Sequence, residues 1–175
     1  LDYVASYPLN GRRAVVNMSL GGGASASLNA AVAKLVTNSN IVVVVAAGND
    51  SGLACDNSPA QEPLALTVAA TDSSDARAWF SNFGSCVDLF APGFGITGAA
   101  ISDPLGTVQK SGTSMASPHV AGAAAIALAA YPNATATAIG NLLINDATTG
   151  VVANAGDGSP NRLLRIGGAS LPVET

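Results

Sequence analysis

RAVVNMSL at Arg13–Leu20 is β-branched and apolar, and it breaks at Gly21-Gly22-Gly23. Ser25–Asn38 follows, with Leu28, Val32, Leu35 and Val36 at helical spacing. IVVVVA at Ile41–Ala46 completes the pattern and stops at Gly48-Asn49. A continuous apolar run of strand length needs cover on both faces, as in a parallel sheet. Strand, helix, strand in that order is a βαβ unit with a right-handed crossover. These segments set the fold class: α/β with a mostly parallel sheet.

Outward from this unit the pattern continues. Asp50–Leu64 is polar, carries Pro59 and Pro63, and reads as a long surface loop. Leu66–Ala70 and Val87–Phe90 read as buried strands, the second ended by Ala91-Pro92-Gly93, with a loop over Asp72–Ser85 between them. Ile96–Val108 is irregular or a hairpin. Thr113–Tyr131 is a long Ala-rich helix stopped by Pro132, and Thr135–Ala147 a second helix with Ile139, Leu142 and Leu143 on one face. Leu163–Ile166 suggests an edge strand. The expected organisation is one body over 1–166 with a tail or linker over 167–175. Leu1–Tyr7 is amphipathic and opens without Met, as though the chain began inside an element.

Composition narrows the function classes. Hydrophobic residues make up 49% and charged residues 10%, which is a core-forming chain. A net charge of −4 and a pI near 4.6 argue against nucleic acid or an anionic membrane as partner, since both select clustered Lys and Arg. Arg12-Arg13, the one adjacent basic pair, reads as a solvated turn. The apolar runs Ile41–Ala47 and Val120–Ala130 fall short of the ~18 residues a spanning helix requires. Cys55 and Cys86 fit no metal-ligand spacing; they are either buried thiols or, the preferred reading, a disulfide worth ~3–4 kcal/mol and implying an oxidising compartment.

Chemistry concentrates at Ser111-Gly-Thr-Ser-Met-Ala-Ser-Pro-His-Val-Ala-Gly122. It sets Ser114, among small residues, where a loop turns into a buried helix. Helix N-terminal N–H groups are unpaired and the dipole end is positive, so an oxyanion beside Ser114 would be stabilised. Pro118 is expected in the first turn, where no intrahelical hydrogen bond is lost. From the residues alone Ser114 is an N-cap or a nucleophile.

The eleven residues Gly112–Gly122 resemble the nucleophile signature of the subtilisin-like serine proteases. The resemblance implies that family's three-layer α/β fold, a serine endopeptidase working through an acyl-enzyme, and Ser114 as nucleophile. His119, by the same resemblance, is a structural residue of the helix and not the base. Val45-Ala-Ala-Gly-Asn49 resembles the segment whose asparagine donates to the oxyanion, which points to Asn49. Ser19-Leu20-Gly21-Gly22 resembles the segment whose bare main chain pairs with an extended substrate. Ala46, Ala47 and Gly48 would line the pocket for the residue before the scissile bond. Phe80-Ser-Asn-Phe-Gly84 and Asp88-Leu-Phe-Ala-Pro-Gly93 are further family landmarks.

The cysteine positions and Ser58-Pro59-Ala60 are more similar to the proteinase K and aqualysin branch. There a calcium ion is held by two carbonyls and an aspartate, here matching Pro63, Ala65 and Asp88, although Asp88 is equally a solvated or capping carboxylate. The resemblance further implies a secreted, extracellular enzyme, polypeptide substrates, and a monomer in the intact protein.

It covers about Leu1 to Ile166 and not the family's N-terminal part, where a D-[ST]-G aspartate and an H-G-x-H-like histidine are found. Neither context occurs here, and His119 is the sole histidine. A serine hydroxyl at neutral pH is a poor nucleophile without a base in reach, so this chain alone should be inactive. Two other readings remain in view. One is a non-catalytic truncated or degenerate chain of the same fold. The other is an α/β-hydrolase esterase, which Gly112-Thr-Ser-Met-Ala116 fails at the last position of G-x-S-x-G. Gly21–Gly23 lacks the G-x-G-x-x-G spacing of a dinucleotide loop.

Overall fold

The computed structural model describes residues 1–167, so most of the expected tail, from Gly168 on, lies outside the described residues. In chain order the elements are α1 (Asp2–Ser6), β1 (Val15–Met18), β2 (Gly22–Gly23), α2 (Ala26–Thr37), β3 (Val42–Ala46), β4 (Asn57–Ser58), β5 (Leu66–Thr71) and β6 (Leu89–Pro92). They continue with β7 (Ile96–Ala99), β8 (Thr107–Lys110), α3 (Thr113–Ala130), α4 (Ala136–Asp146), β9 (Thr148–Thr149) and β10 (Arg162–Leu163).

The main sheet runs β1-β3-β5-β6-β10-β9, parallel throughout except for the β9–β10 pair. The apolar run at its centre is β3, every residue of which is buried. Helix α2 begins where Ser25 caps it, its hydroxyl accepting from the Leu28 N–H, and Thr135 caps α4 in the same way. Helices α2, α3 and α4 share one core with the sheet, through Val32, Leu35, Val68, Leu89, Val120 and Ile139 among others. Because side chains alternate along a strand, Ala69 and Phe90 point to the opposite face. There they join Ala47, Ala54, Ala60, Val87 and Val152 in a second cluster.

Several expectations need correction. Asp50–Leu64 is a surface loop only at its two ends and at Leu53 and Asp56. A 3-10 turn at Ala54–Asp56 and the β2–β4 pairing fold it inward, and Ala54, Ser58, Pro59 and Ala60 are buried. Polar side chains hold it there: Ser58 Oγ accepts from the Ser25 N–H at 2.8 Å and from Gln61 Nε2 at 2.8 Å. The disulfide Cys55–Cys86 ties the same strap to the segment before β6.

Strand β6 starts two residues later than expected and runs through Pro92, where its pairing with β5 ends opposite Thr71. The expected edge strand is two residues, Arg162–Leu163, and lies inside the sheet; antiparallel β9 forms the edge. Of the two options at 96–108, the hairpin β7–β8 forms. Arg13 is not solvated either. Its guanidinium donates to the carbonyls of Pro132 (2.8 Å), Ala134 and Asn40 (3.2 Å), clipping the α3–α4 turn to the end of the α2 crossover.

Two surfaces stay bare among the described residues. Strand β1 has one neighbour, β3. Helix α3 exposes Pro118, His119, Gly122, Ala125, Ile126 and Ala129, a stripe at helical spacing with no acidic or basic side chain other than His119; Ile126 is 58% exposed. No described helix is long and apolar enough to cross a membrane.

Candidate active site

The carboxyl ends of parallel strands are where an open α/β sheet offers its crevice. Ser19 follows β1, Asn49 follows β3, and Ser114 is the second residue of α3. Asn49 and Ser114 border one cleft of about 180 Å³, lined also by Leu20, Gly21, Ala46, Ala47 and Gly48, while Ser19 lies behind its wall, hydrogen-bonded to Ser114. Asn57, Ser58 and Ala60 of the strap close it from another side. The structure thus brings together the residues singled out around Ser114. One detail differs: Gly22 and Gly23 are paired with Ser58 and Asn57, so Leu20–Gly21 is the part of the segment outside that pairing that lines the cleft.

Asn49 is held in one orientation. Its Oδ1 accepts from the Thr113 backbone N–H at 2.8 Å and meets Thr113 Oγ1 at 3.0 Å. A backbone N–H must find an acceptor, which fixes the oxygen inward and leaves Nδ2 as the free donor. The Gly48 N–H donates to Thr113 Oγ1 at 3.2 Å, so the strand end and the helix start are stitched twice.

A second asparagine holds the loop from behind. Asn82 is fully buried; its Oδ1 accepts from the N–H groups of Asp50 (2.9 Å) and Gly52 (3.0 Å), and its Nδ2 donates to the Ala47 carbonyl (3.0 Å). Gly48 has φ +105°, and a Cβ there would run into the Asn82 side-chain amide. The roles of Thr113 and Asn82 are not legible in spacing. The one signal is a buried-looking asparagine between two phenylalanines in Phe80–Gly84.

The helix start is docked as tightly. The Gly112 N–H donates to the Gly93 carbonyl at 2.8 Å, and a Cβ on Gly93 would meet Ala70 Cβ at 2.6 Å. Ser114 is partly buried; its hydroxyl donates to the Ser19 carbonyl at 3.3 Å. In return Ser19 Oγ donates to the Ser114 carbonyl at 2.8 Å. With a hydroxyl, a side-chain amide N–H and the Ser114 backbone N–H at one cleft, the arrangement is able to hold an acyl carbonyl and stabilise negative charge on its oxygen.

Pro118 departs from expectation. Helix α3 starts at Thr113, so Pro118 is its sixth residue, in the second turn and not the first. The hydrogen bond its missing N–H would have given is the one to the Ser114 carbonyl, four residues back. The Ser19 hydroxyl stands in that place. His119, expected as a structural residue of the helix, is exposed on the bare stripe, Nδ1 donating to the Met115 carbonyl at 2.8 Å.

Pro63, Ala65 and Asp88 come together away from this cleft, around a cavity of about 70 Å³. Burial pushes the Asp88 carboxyl up to about 6, against the lowering effects of the Thr67 N–H and of Arg162. Oδ2 accepts from that N–H at 2.8 Å, and no hydrogen bond among the described residues engages Oδ1 or the carbonyls of Pro63 and Ala65. An under-neutralised carboxylate beside two free carbonyls suits a hard cation, although a single carboxylate is a sparse charge set. No group of three or more His, Cys, Asp or Glu side chains able to hold a metal occurs among the described residues.

Residues 2–167 match the subtilase family of peptidases, the S8 family. An extracellular serine proteinase of Thermus sp. (strain Rt41A) is 55% identical over 164 residues, covering 94% of this chain and 39% of the relative. A subtilisin-like serine protease of Sarocladium strictum is 51% identical over 158 residues, covering 89% of this chain and 39% of the relative. The crystal structure of a cold adapted subtilisin-like serine proteinase superposes with a TM-score of 0.90 at 43% identity, over 96% of this chain and 59% of that one. The chain therefore spans about two fifths of the length of these curated relatives. On the strength of that match and of the fold, this chain belongs to the subtilase family of serine proteases.

Proposed function

We propose that this chain supplies the nucleophile and the oxyanion site of a subtilisin-like serine endopeptidase. The observation that carries the reading is the convergence of the Ser114 hydroxyl, the oriented Asn49 amide and the Leu20–Gly21 main chain on one cleft. A polypeptide lies along Ser19–Gly21 and places the side chain before the scissile bond against Ala46–Gly48. Ser114 Oγ attacks the carbonyl carbon, its proton passing to a base. Asn49 Nδ2 and the Ser114 N–H stabilise the oxyanion. Collapse of the tetrahedral adduct expels the amine and leaves the acyl-enzyme for water to hydrolyse.

The base and its carboxylate partner belong to further polypeptide, seated against the β1 edge and the largely apolar stripe of α3. An edge strand with unpaired main chain and an apolar helix face are surfaces that folded proteins cover. The whole protein acts as a monomer on polypeptides outside the cell, in keeping with the extracellular Thermus relative and the Cys55–Cys86 disulfide. Residues 1–166 form the C-terminal portion of its catalytic domain, and 167–175 a tail or linker.

A chimera tests this reading, with residues 1–167 replacing the matching part of the Thermus relative. It should hydrolyse peptide p-nitroanilides while the isolated chain stays at background. A folded but inert chimera would instead favour a non-catalytic chain of the same fold.

Pro63, Ala65 and Asp88 would hold a calcium ion, which supplies positive charge to a buried carboxylate and so stabilises the fold. The sign of the pH effect follows from the Asp88 shift. A carboxyl raised from 3.8 to about 6 favours the folded state below pH 4, and that advantage is lost as pH rises through 6. Without cation the loss amounts to at most ~3 kcal/mol. The melting temperature gained on adding calcium to chelated chimera should therefore be larger at pH 7.5 than at pH 4.5, and should vanish in Asp88→Asn. An equal gain at both pH values would rule the site out.

A further inference from the structure

We propose that Asn17 is a positioning residue for the nucleophile, acting through a directional chain of hydrogen bonds from Ser117 to Ser19. The inference rests on the reading of Ser114 as nucleophile. It starts from the carbonyl that Pro118 leaves without its helical partner. An N-terminal turn of α3 with an unsatisfied carbonyl at its second residue is free to shift, and that residue is Ser114. The Ser19 hydroxyl fills the gap, donating to the Ser114 carbonyl at 2.8 Å. A hydroxyl has one proton, so Ser19 can fill that role only if whatever else touches its oxygen is a donor.

Asn17 meets that condition. Its Nδ2 donates to Ser19 Oγ at 3.0 Å. The amide is in turn oriented by Ser117, which is fully buried and donates through Oγ to Asn17 Oδ1 at 2.6 Å. Each donor in the sequence Ser117, Asn17, Ser19 forces the direction of the next, and the last bond lands on the main chain of the nucleophile. The same fixed Ser19 offers its own carbonyl to the Ser114 hydroxyl at 3.3 Å. Four residues on two elements, the β1 end and the α3 start, thus set both the backbone and the hydroxyl of Ser114.

Direction separates this role from simple packing. Asn17→Asp has nearly the same shape and can still accept from Ser117, but the deprotonated carboxylate only accepts. Ser19 would turn its proton toward the carboxylate and abandon the Ser114 carbonyl. If Asn17 merely pins β1 to α3, this variant behaves as the parent. If the chain of bonds positions Ser114, Asn17→Asp and Asn17→Ala both suffer, Ser117→Ala suffers with them, and Ser117→Thr, which keeps the hydroxyl, is spared.

Two measurements test this. In the chimera, the rate of labelling by a fluorophosphonate reads the nucleophile without a peptide to bind. Asn17→Asp and Asn17→Ala should lower its high-pH plateau roughly tenfold, the worth of one neutral hydrogen bond, with the apparent pKa little moved. A plateau equal to the parent's, or a loss fully recovered at high pH, means that charge or packing and not position is involved, and overturns the proposal. Parent chimera that labels at the same rate with or without Ser114→Ala overturns the nucleophile reading instead.

The second measurement uses the folded chimera. Ser114-Met115 is the one Ser–Met pair within residues 1–175, so ¹³C-carbonyl serine with ¹⁵N methionine reports the Ser114 carbonyl, the signal being assigned by its loss in Ser114→Ala. That resonance should move upfield in Asn17→Asp and stay in place in Ser117→Thr. A signal unmoved in Asn17→Asp contradicts the relay whatever the labelling rate.

Discussion

Ser114→Ala in the active chimera is expected to reduce kcat by about 10⁶, the size known for loss of the nucleophile in subtilisin. No other side chain at the cleft replaces it. Ser117 is fully buried, its Oγ committed to Asn17 at 2.6 Å, and Ser19 Oγ is committed to the Ser114 carbonyl. The residual rate comes from the oxyanion donors and from holding the substrate, neither of which needs Oγ. Ser117→Ala is the informative control, since it removes a hydroxyl three residues away and should cost only the tenfold loss of positioning. The two variants are compared by kcat on one peptide p-nitroanilide, with melting temperature as the check on folding.

Asn49→Ala has the second largest expected effect, a fall of about 10²–10³ in kcat with KM nearly unchanged; this magnitude is again carried over from subtilisin. The split follows from the geometry. Oδ1 is occupied by Thr113, so Nδ2 is the part of the amide facing the cleft, and it meets substrate most strongly once the carbonyl oxygen has become an oxyanion. An interaction made only in the transition state lowers kcat and kcat/KM together. A rise in KM with unchanged kcat would assign Asn49 to ground-state binding. Thr113 lost its acceptor in the same variant, so some loss of stability accompanies the kinetic effect.

The fold was legible where one rule dominated. The apolar run Ile41–Ala46 could only be a strand covered on both faces, and β3 is buried at every position. The helical segments read from Ser25 and from Thr135 start where α2 and α4 do, each of those two residues being the N-cap. Legibility failed where long-range contacts overrode composition. Ser58 and Pro59 are turn-forming residues by type, yet Ser25 and the Cys55–Cys86 bridge draw their segment into the wall of the cleft. Arg13 looked like a solvated charge because the carbonyls it satisfies lie at Pro132 and Ala134, more than a hundred residues along the chain.

The site divides in the same way. Ser114 and Asn49 stood out through the family resemblance, but their supports did not. Thr113 and Asn82 are ordinary polar residues until the fold shows that one fixes the Asn49 oxygen and the other carries the Ala47–Gly52 main chain. Pro118 was placed one turn too early even though the helix start was read correctly at Thr113: counted from there it is the sixth residue, past the turn whose N–H groups have no helical partner. That count turns a harmless proline into a missing hydrogen bond, and the missing bond exposes the roles of Ser19 and Asn17.

The central claim is that Ser114 is the acylated residue. Its most direct test is fluorophosphonate labelling of the active chimera, followed by mass mapping of the labelled peptide. The predicted result is a single adduct on Ser114, absent in Ser114→Ala and present, at a slower rate, in Ser117→Ala. An adduct on Ser117 or Ser19, or labelling that persists in Ser114→Ala, would contradict the account.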